Sequence, residues 1–195
     1  SGTKFELKVD GTPFTGSIPV FGEFQAMNAA AAVAVGLALG IPVVDMLDGL
    51  KNVELPGGRM RQSTAKSGFT IVDDAYNANP GSVAASVTTM SQLCADGSWS
   101  VILGDMLELG DKAVTYHREI GRITAGSGAV EVWSVGEFAE VVAEGARSQG
   151  ARVQTFKTTD DAVEAVRDGK RPAGDCVLLK GSRGNRLERL VPELE

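Results

Sequence analysis

The pattern of hydrophobic and polar positions divides the chain near residue 57. Before that point, residues 4–9 alternate between polar and apolar, Asp10-Gly11 is a turn signal, and residues 14–20 resume the alternation. This pattern predicts a β-hairpin. Two apolar stretches with helical spacing follow, and they predict helices at about residues 25–39 and 43–52.

Beyond residue 57, short apolar runs alternate with longer amphipathic stretches. Strands are predicted at residues 69–74, 99–104, 131–135, 152–156 and 175–180, and helices at about 80–94, 113–126, 137–149, 159–168 and 185–191. Such alternation is typical of βαβ units with right-handed crossovers. We therefore predict an α/β fold, a Rossmann-like, doubly wound and mostly parallel sheet with helices on both faces. The Pro-Gly-Gly turn at residues 55–59 separates it from the hairpin and its two helices, which gives domains at 1–56 and 57–195.

Polar residues stand directly after several predicted strands. The first such segment, residues 73–80, reads Asp-Asp-Ala-Tyr-Asn-Ala-Asn-Pro. Because the carboxyl ends of parallel strands meet at one edge, where open α/β sheets bind ligands, we expect these segments to share a site. The acids Asp73 and Asp74 are suited to ribose hydroxyls, Mg²⁺ or an ammonium group, although a helix cap would also use an aspartate.

Three other segments carry candidate chemistry. Asp105 and Glu108 follow the second strand and could bind an amine, or they could start a helix. Residues 180–185, Lys-Gly-Ser-Arg-Gly-Asn, are suited to an anion, or they form a basic surface turn. An arginine in the glycine turn could reach a phosphate, and the sequence does not choose between Arg59 and Arg61. His117, the one histidine, is more often structural in such a helical context.

Composition excludes several classes of function. The net charge of −6 argues against nucleic acid as a partner, and no apolar window approaches the roughly 18 residues that a membrane helix needs. Cys94 and Cys176 lack CxxC spacing, so we expect neither a disulfide framework nor a zinc site, and a reducing cytoplasm fits. A hard cation held by carboxylates and phosphates stays open. The chain also lacks a phosphate-binding loop, whose sequence pattern is GxxxxGK and then Ser or Thr.

Three motifs together resemble the Mur ligases, a family of enzymes that act in bacterial peptidoglycan synthesis. They are DDAYNANP at residues 73–80, LGDMLELG at 103–110 with His117 downstream, and LLKGSRGNRLE at 178–188. The resemblance covers nearly the whole chain, but the chain covers less than half of such an enzyme. It implies that residues 1–56 are the end of the central ATPase domain and that 57–195 are the C-terminal domain. It also implies ATP-dependent amide-bond formation through an acyl phosphate.

The resemblance also assigns residues to roles, although no residue of this chain is assigned to catalysis or to a metal. Nucleotide contacts are implied for Asn28, Arg59 and Asp74. Contacts with the other substrates are implied for Tyr76, Asn77, Asn79, Asp105, Glu108, Lys180, Ser182 and Arg183. The chain departs from the family where Phe24-Gln25 replaces His-Asn, which leaves Asn28 as the adenine contact, and where Ala75 replaces a serine.

The implied partners are ATP with Mg²⁺ in the full-length enzyme, UDP-MurNAc-tripeptide, D-alanyl-D-alanine, and the missing N-terminal and central domains. Because the chain lacks a phosphate loop, we expect that it binds no cofactor tightly and is inactive by itself. Two alternatives stay open: a sister ligase that adds a single amino acid, and a non-catalytic module that binds a small ligand. The expected location is the bacterial cytoplasm, with no nucleic-acid or membrane partner.

Overall fold

The computed structural model describes residues 2–95 and 97–195. The chain forms two compact units, one ending at Pro56 and the other running from Gly57 to Glu195. Among the described residues, no helix has the length and apolar character required to cross a membrane.

The first unit is a hairpin with two helices. Its elements are β1 (Thr3–Val9), β2 (Thr12–Ile18), α1 (Glu23–Ala38) and α2 (Val43–Leu50). Asp10 and Gly11 both have positive φ, 47° and 80°, which is the conformation that a two-residue hairpin turn requires. Ala29 and Val33 of α1 pack against Leu47 and Leu50 of α2 to form its core. The predicted hairpin and both predicted helices are therefore present.

The second unit is a six-stranded sheet in the order β3-β4-β8-β5-β6-β7. The strands are β3 (Arg61–Thr64), β4 (Thr70–Asp74), β5 (Trp99–Gly104), β6 (Glu131–Val135), β7 (Arg152–Phe156) and β8 (Cys176–Lys180). Five of them are parallel, and β3 pairs antiparallel with β4 at one edge. The helices are α3 (Pro80–Leu93), α4 (Ala113–Gly126), α5 (Ala139–Arg147), α6 (Thr159–Arg167) and α7 (Val191–Leu194).

Helices cover both faces of this sheet. Ile71, Ile102, Trp133 and Leu179 point to the face that α6 and the C-terminal segment cover. Their neighbours in sequence point the other way, towards α3, α4 and α5, because side chains alternate along a strand. The predicted α/β fold, doubly wound and mostly parallel, is confirmed.

Two local predictions differ from the structure. The sequence did not predict β3, because Arg61-Gln62-Ser63-Thr64 has no apolar residue to mark an alternation. The predicted helix at 185–191 is wrong: short 3₁₀ turns, Arg183–Asn185 and Leu187–Leu190, occupy this region before α7. Arg186 lies between them with φ 55°, in the left-handed region that an α-helix cannot contain.

Two glycines allow α4 and α5 to cross in contact. A Cβ on Gly121 of α4 would collide with the carbonyl oxygen of Val142, and a Cβ on Gly145 of α5 would collide with that of Arg118. Glycine is therefore required at both positions for the helices to approach so closely. This pair therefore sets the close contact between α4 and α5.

Candidate functional site

The carboxyl ends of β4, β8 and β5 lie side by side in the sheet. Asp74 at the end of β4 pairs in register with Lys180 of β8, and Lys180 pairs with Leu103 of β5. The three motifs found in the sequence therefore meet at one edge, as predicted from the topology of a parallel sheet. We call this edge the carboxyl edge.

Asp74 and Lys180 form a buried ion pair beneath the carboxyl edge. Lys180 Nζ lies 2.8 Å from Asp74 Oδ2, and the two side chains are 4% and 10% exposed. The Ser86 hydroxyl donates to the same oxygen at 2.6 Å, and the Met60 N–H donates to Oδ1 at 3.2 Å. Both oxygens of Asp74 thus have partners within the protein.

Lys180 also ties the segment after β4 to the sheet. Its ammonium group donates to the backbone oxygens of Asn77, at 2.7 Å, and Asp74, at 3.3 Å. An ammonium group has three donors, so these contacts and the Asp74 carboxylate use all of them. Ribose binding by Asp74 and anion binding by Lys180 remain predictions, and the structure gives each side chain a place in the framework of the site.

Ser182 and Asn185 connect the turn after β8 to its neighbours. The Ser182 hydroxyl accepts the Leu107 N–H at 3.0 Å and lies 3.4 Å from the Ala78 carbonyl oxygen, to which it donates. The Asn185 amide accepts the Asp105 N–H at 3.1 Å and donates to the Asp105 carbonyl at 2.8 Å. Asn185 lies within the third motif, but it is not among the residues to which the sequence assigned a role.

The Asp105 carboxylate is buried and faces the turn after β6. Its oxygens accept the N–H groups of Glu137, at 2.9 Å, and Phe138, at 3.0 Å, just before α5 begins. Gly136, with φ 123°, is required there because a Cβ would collide with this carboxylate. Amine binding by Asp105 stays a prediction, while the observed contacts tie its carboxylate to the turn that precedes α5.

The side chains that remain exposed at this edge are few. Tyr76, Asn77, Asn79, Glu108, Arg59 and Arg183 are exposed. The guanidinium carbons of Arg59 and Arg183 lie 4.3 and 5.5 Å from the centre of the Tyr76 ring, within the range of cation–π attraction. Within the described part of the chain, neither guanidinium has a carboxylate partner, so both charges are available to an anion.

Asn79 and Asn28 differ in setting. Asn79 is the N-cap of α3: its side chain accepts the Ser82 N–H at 2.8 Å, and the Ser82 hydroxyl accepts the Asn79 N–H at 3.0 Å. Its side-chain nitrogen has no such contact within residues 2–95 and 97–195. Asn28 lies in the first unit, exposed on α1, where its amide donates to Gln25 Oε1 at 3.0 Å.

A cavity of about 570 Å³ opens beside the exposed residues. Its lining includes Gly58, Asp73, Tyr76, Arg183 and Glu188. The volume is in the range of small-ligand sites, about 300–1,000 Å³. Three acids line it, Asp73, Glu188 and Glu195, and the residue assignments from the sequence omitted Asp73 in favour of Asp74.

Burial raises the pKa of the Asp73 carboxyl, and the nearby Asp74 and Glu188 carboxylates raise it further, while the hydrogen bond from the Ala75 N–H opposes the shift. Such a group gains from an opposite charge or from hydroxyl donors. Arg61 also lines this cavity, whereas Arg59 lies over Tyr76. No cluster of three or more metal-ligating side chains is found among residues 2–95 and 97–195.

Comparison with known proteins identifies the family. The family described as "Mur ligase, glutamate ligase domain" matches residues 58–183. The UDP-N-acetylmuramoyl-tripeptide–D-alanyl-D-alanine ligase of Bacillus subtilis (strain 168) is 36% identical over 195 residues, which cover 99% of this chain and 42% of the relative. The ligase of the same name from Escherichia coli (strain K12) is 29% identical over 204 residues, an alignment that includes 100% of this chain and 42% of the relative.

Solved structures agree. A MurF crystal structure from Acinetobacter baumannii superposes with a TM-score of 0.81 at 30% identity, over 98% of this chain and 41% of that one. The structure of MurF ligase from Thermotoga maritima in complex with ADP superposes with a TM-score of 0.78 at 25% identity, over 99% of this chain and 43% of that one. The chain thus spans about two fifths of the length of these relatives. The resemblance carried by the three sequence motifs is confirmed, and the chain belongs to the Mur ligase family.

Proposed function

We propose that this chain is the C-terminal part of an ATP-dependent ligase that adds D-alanyl-D-alanine to UDP-MurNAc-tripeptide in peptidoglycan synthesis. The observation that carries the proposal is the match of both units, over nearly the whole chain, to ligases named for this one reaction. A non-catalytic binding module would not be expected to retain both units and all three motifs. ATP as a substrate and two free thiols agree with the bacterial cytoplasm.

The first unit supports the view that residues 1–56 belong to a larger central domain. Four large apolar side chains of α1, its C-terminal end and α2 are exposed: Met27 (71%), Val35 (63%), Leu39 (73%) and Val44 (62%). An apolar surface of this kind is typical of a face that another part of a protein covers. We assign residues 57–195 to the family's C-terminal domain.

In the proposed reaction, ATP supplies the phosphoryl group that activates the terminal carboxylate of the tripeptide. The amine of D-alanyl-D-alanine then forms the amide bond, the acyl–phosphate bond breaks, and inorganic phosphate leaves as the amine loses a proton. The chain's part is to position the reactants and to neutralise negative charge. The described residues offer no cluster of side chains suited to hold Mg²⁺.

The exposed residues of the carboxyl edge are suited to these tasks. We assign Arg59 and Arg183, which share the Tyr76 ring and have no carboxylate partner among the described residues, to phosphate oxygens. We assign Glu108 to the incoming amine, and Asn77 and Asn79 to polar groups of the peptides. For the nucleotide we assign Asn28 to adenine and Asp74 to ribose, with Asp73, which faces the cavity, as a second ribose candidate.

The proposal is tested with the full-length enzyme, by measuring phosphate release from ATP in the presence of UDP-MurNAc-tripeptide. We expect turnover with D-alanyl-D-alanine and none with alanine, glutamate or diaminopimelate. Preference for a single amino acid would instead identify a sister ligase, and the absence of turnover with every acceptor would favour a binding module. The 195-residue chain, which lacks the phosphate loop, is expected to release no phosphate by itself.

The arginine assignment is tested separately. Replacing Arg59 or Arg183 with alanine should lower kcat by about 10²–10³, the usual cost of losing one group that stabilises developing charge. The matched control is Arg152→Ala, because Arg152 is exposed on the outer strand β7 and has no ion-pair partner among the described residues. Equal losses in the three variants would contradict the assignment.

A further inference from the structure

His117 is buried beside the carboxyl edge and both of its ring nitrogens have partners. It is 1% exposed, and its Nδ1 lies 2.7 Å from the Ala113 carbonyl oxygen. Because a carbonyl oxygen only accepts, Nδ1 must carry the hydrogen. The Met106 N–H donates to Nε2 at 2.9 Å, so Nε2 must offer its lone pair. The two contacts together select one form of the ring, the neutral imidazole with its proton on Nδ1.

The imidazole ring is also fixed in orientation. It stacks on Phe138, with ring centres 4.3 Å apart and an angle of 13° between the planes. The Phe138 N–H in turn donates to the Asp105 carboxylate. His117 is therefore held against the turns that follow both β5 and β6.

The segment that His117 contacts carries an exposed glutamate. The amides of two successive residues are anchored, Met106 by His117 Nε2 and Leu107 by the Ser182 hydroxyl. The next residue, Glu108, has φ 65°, a left-handed conformation that is unfavourable for a non-glycine residue. Anchored amides on the residues before it offset that cost and hold the Glu108 carboxylate at the edge.

We propose that His117 is a positioning residue for the incoming amino component, acting through residues 106–108 and the carboxylate of Glu108. The identity of that component, a dipeptide amine, rests on the proposed function. The competing view is that His117 only stabilises the fold. The two views differ in what they predict for individual substrates, because a general loss of stability has no reason to affect one Michaelis constant alone.

The main experiment uses the full-length enzyme with His117→Phe, which keeps an aromatic ring for stacking but removes the acceptor for Met106. A buried N–H left unpaired disfavours the present conformation of residues 106–108, so we expect the KM for D-alanyl-D-alanine to rise roughly tenfold or more. The KM for ATP should change less than about twofold, because a displacement confined to residues 106–108 should not weaken the binding of both substrates. His117→Gln supplies both a donor and an acceptor and should recover part of the loss.

The control is Ile120→Val, a buried residue one turn further along α4. It should lower the urea midpoint of unfolding without altering either KM. Similar changes in both Michaelis constants for His117→Phe, or none, would overturn the proposal. So would a His117→Phe/Glu108→Gln double variant whose losses multiply, because a residue that acts through Glu108 adds little once that carboxylate is gone.

A measurement on the 195-residue chain separates this proposal from the proposed function. Hydrogen exchange of the Met106 and Leu107 amides should accelerate in His117→Phe while the amides in the middle of α4 keep their protection. Unchanged exchange at Met106 and Leu107 would overturn the positioning role whatever the substrate. A full-length enzyme that does not use D-alanyl-D-alanine would refute the proposed function but leave this exchange result valid.

Discussion

Lys180 offers the sharpest test of how the carboxyl edge is built. Its side chain is 4% exposed, forms a 2.8 Å ion pair with Asp74, and donates to the backbone oxygen of Asn77. If these contacts are its main role, Lys180→Met should destabilise the second unit strongly. If Lys180 is chiefly a ligand for substrate phosphate or carboxylate, the same variant should fold almost as well as the parent.

The magnitude follows from what the substitution leaves behind. Lys180→Met removes the cation but keeps the Asp74 carboxylate buried, with only the Ser86 hydroxyl and the Met60 N–H as partners. Breaking a buried ion pair by removing one member costs about 3–5 kcal/mol, because the remaining charge is uncompensated. We therefore expect the free energy of unfolding to fall by about that amount.

The chain provides its own probe for this measurement. Both tryptophans, Trp99 and Trp133, lie buried in the second unit, on β5 and β6. Tryptophan fluorescence in a urea titration thus reports on that unit and is insensitive to the first. Lys157→Met is the matched control, because Lys157 is exposed and is expected to change stability by less than about 0.5 kcal/mol.

A loss of less than about 1 kcal/mol for Lys180→Met would refute the reasoning, since that is the scale of exposed ion pairs. The double variant Lys180→Met/Asp74→Asn adds a second check. Because it removes the uncompensated charge, its loss should fall short of the sum of the single losses by about 0.5–3 kcal/mol. Strict additivity would mean that the two side chains do not act as a pair.

Three further predictions concern other parts of the second unit. The raised pKa of Asp73 means that its stabilising contribution is present at low pH and is lost as the pH rises through that pKa. Asp73→Asn should therefore raise the free energy of unfolding at pH 7, and this gain should shrink in acid. A lower free energy of unfolding at pH 7 would contradict the prediction. Gly121→Ala should cost about 1–3 kcal/mol by forcing α4 and α5 apart, whereas Gly126→Ala, exposed on the same helix, should be neutral or slightly stabilising in the same urea assay. Burial raises the pKa of the Cys94 thiol to about 12, whereas Cys176 is half-buried. Iodoacetamide at pH 8.5 should therefore label Cys176 first and Cys94 only after unfolding, as measured by mass spectrometry. Early labelling of Cys94 would contradict this.

The sequence was sufficient to predict the strands of the parallel sheet and the edge at which the motifs meet. Each strand is an apolar run that ends on polar residues, and that signal is local. The same signal cannot tell which of the two acids that end β4 is available to a ligand. Both faces of β4 are covered in the fold, so the outcome depends on what packs on each face. Asp74 meets Ser86 and Lys180, the latter 106 positions away, and Asp73 faces the cavity.

Residues 183–190 show a second limit of sequence reasoning. Their spacing is compatible with a helix, but the Asn185 amide bonds to the backbone of Asp105, 80 positions earlier, and to the Ser182 carbonyl oxygen. These contacts hold the chain in 3₁₀ turns, with Arg186 left-handed between them. Tertiary hydrogen bonds thus override a local helical pattern, and no local property of the sequence reveals them.

The polar residues of the carboxyl edge fall into two groups with different expected phenotypes. Asp74, Asp105, Lys180 and Ser182 are buried and their hydrogen-bonding atoms contact other parts of the edge, so they form a framework. Glu108 and Arg183 are exposed and have no ion-pair partner in the described part of the chain. The proposed function would gain from this division, because a rigid framework removes the reorganisation that flexible side chains would need in order to orient several reactants. Substitutions in the framework should therefore lower stability and activity together, whereas substitutions of the exposed group should lower activity alone.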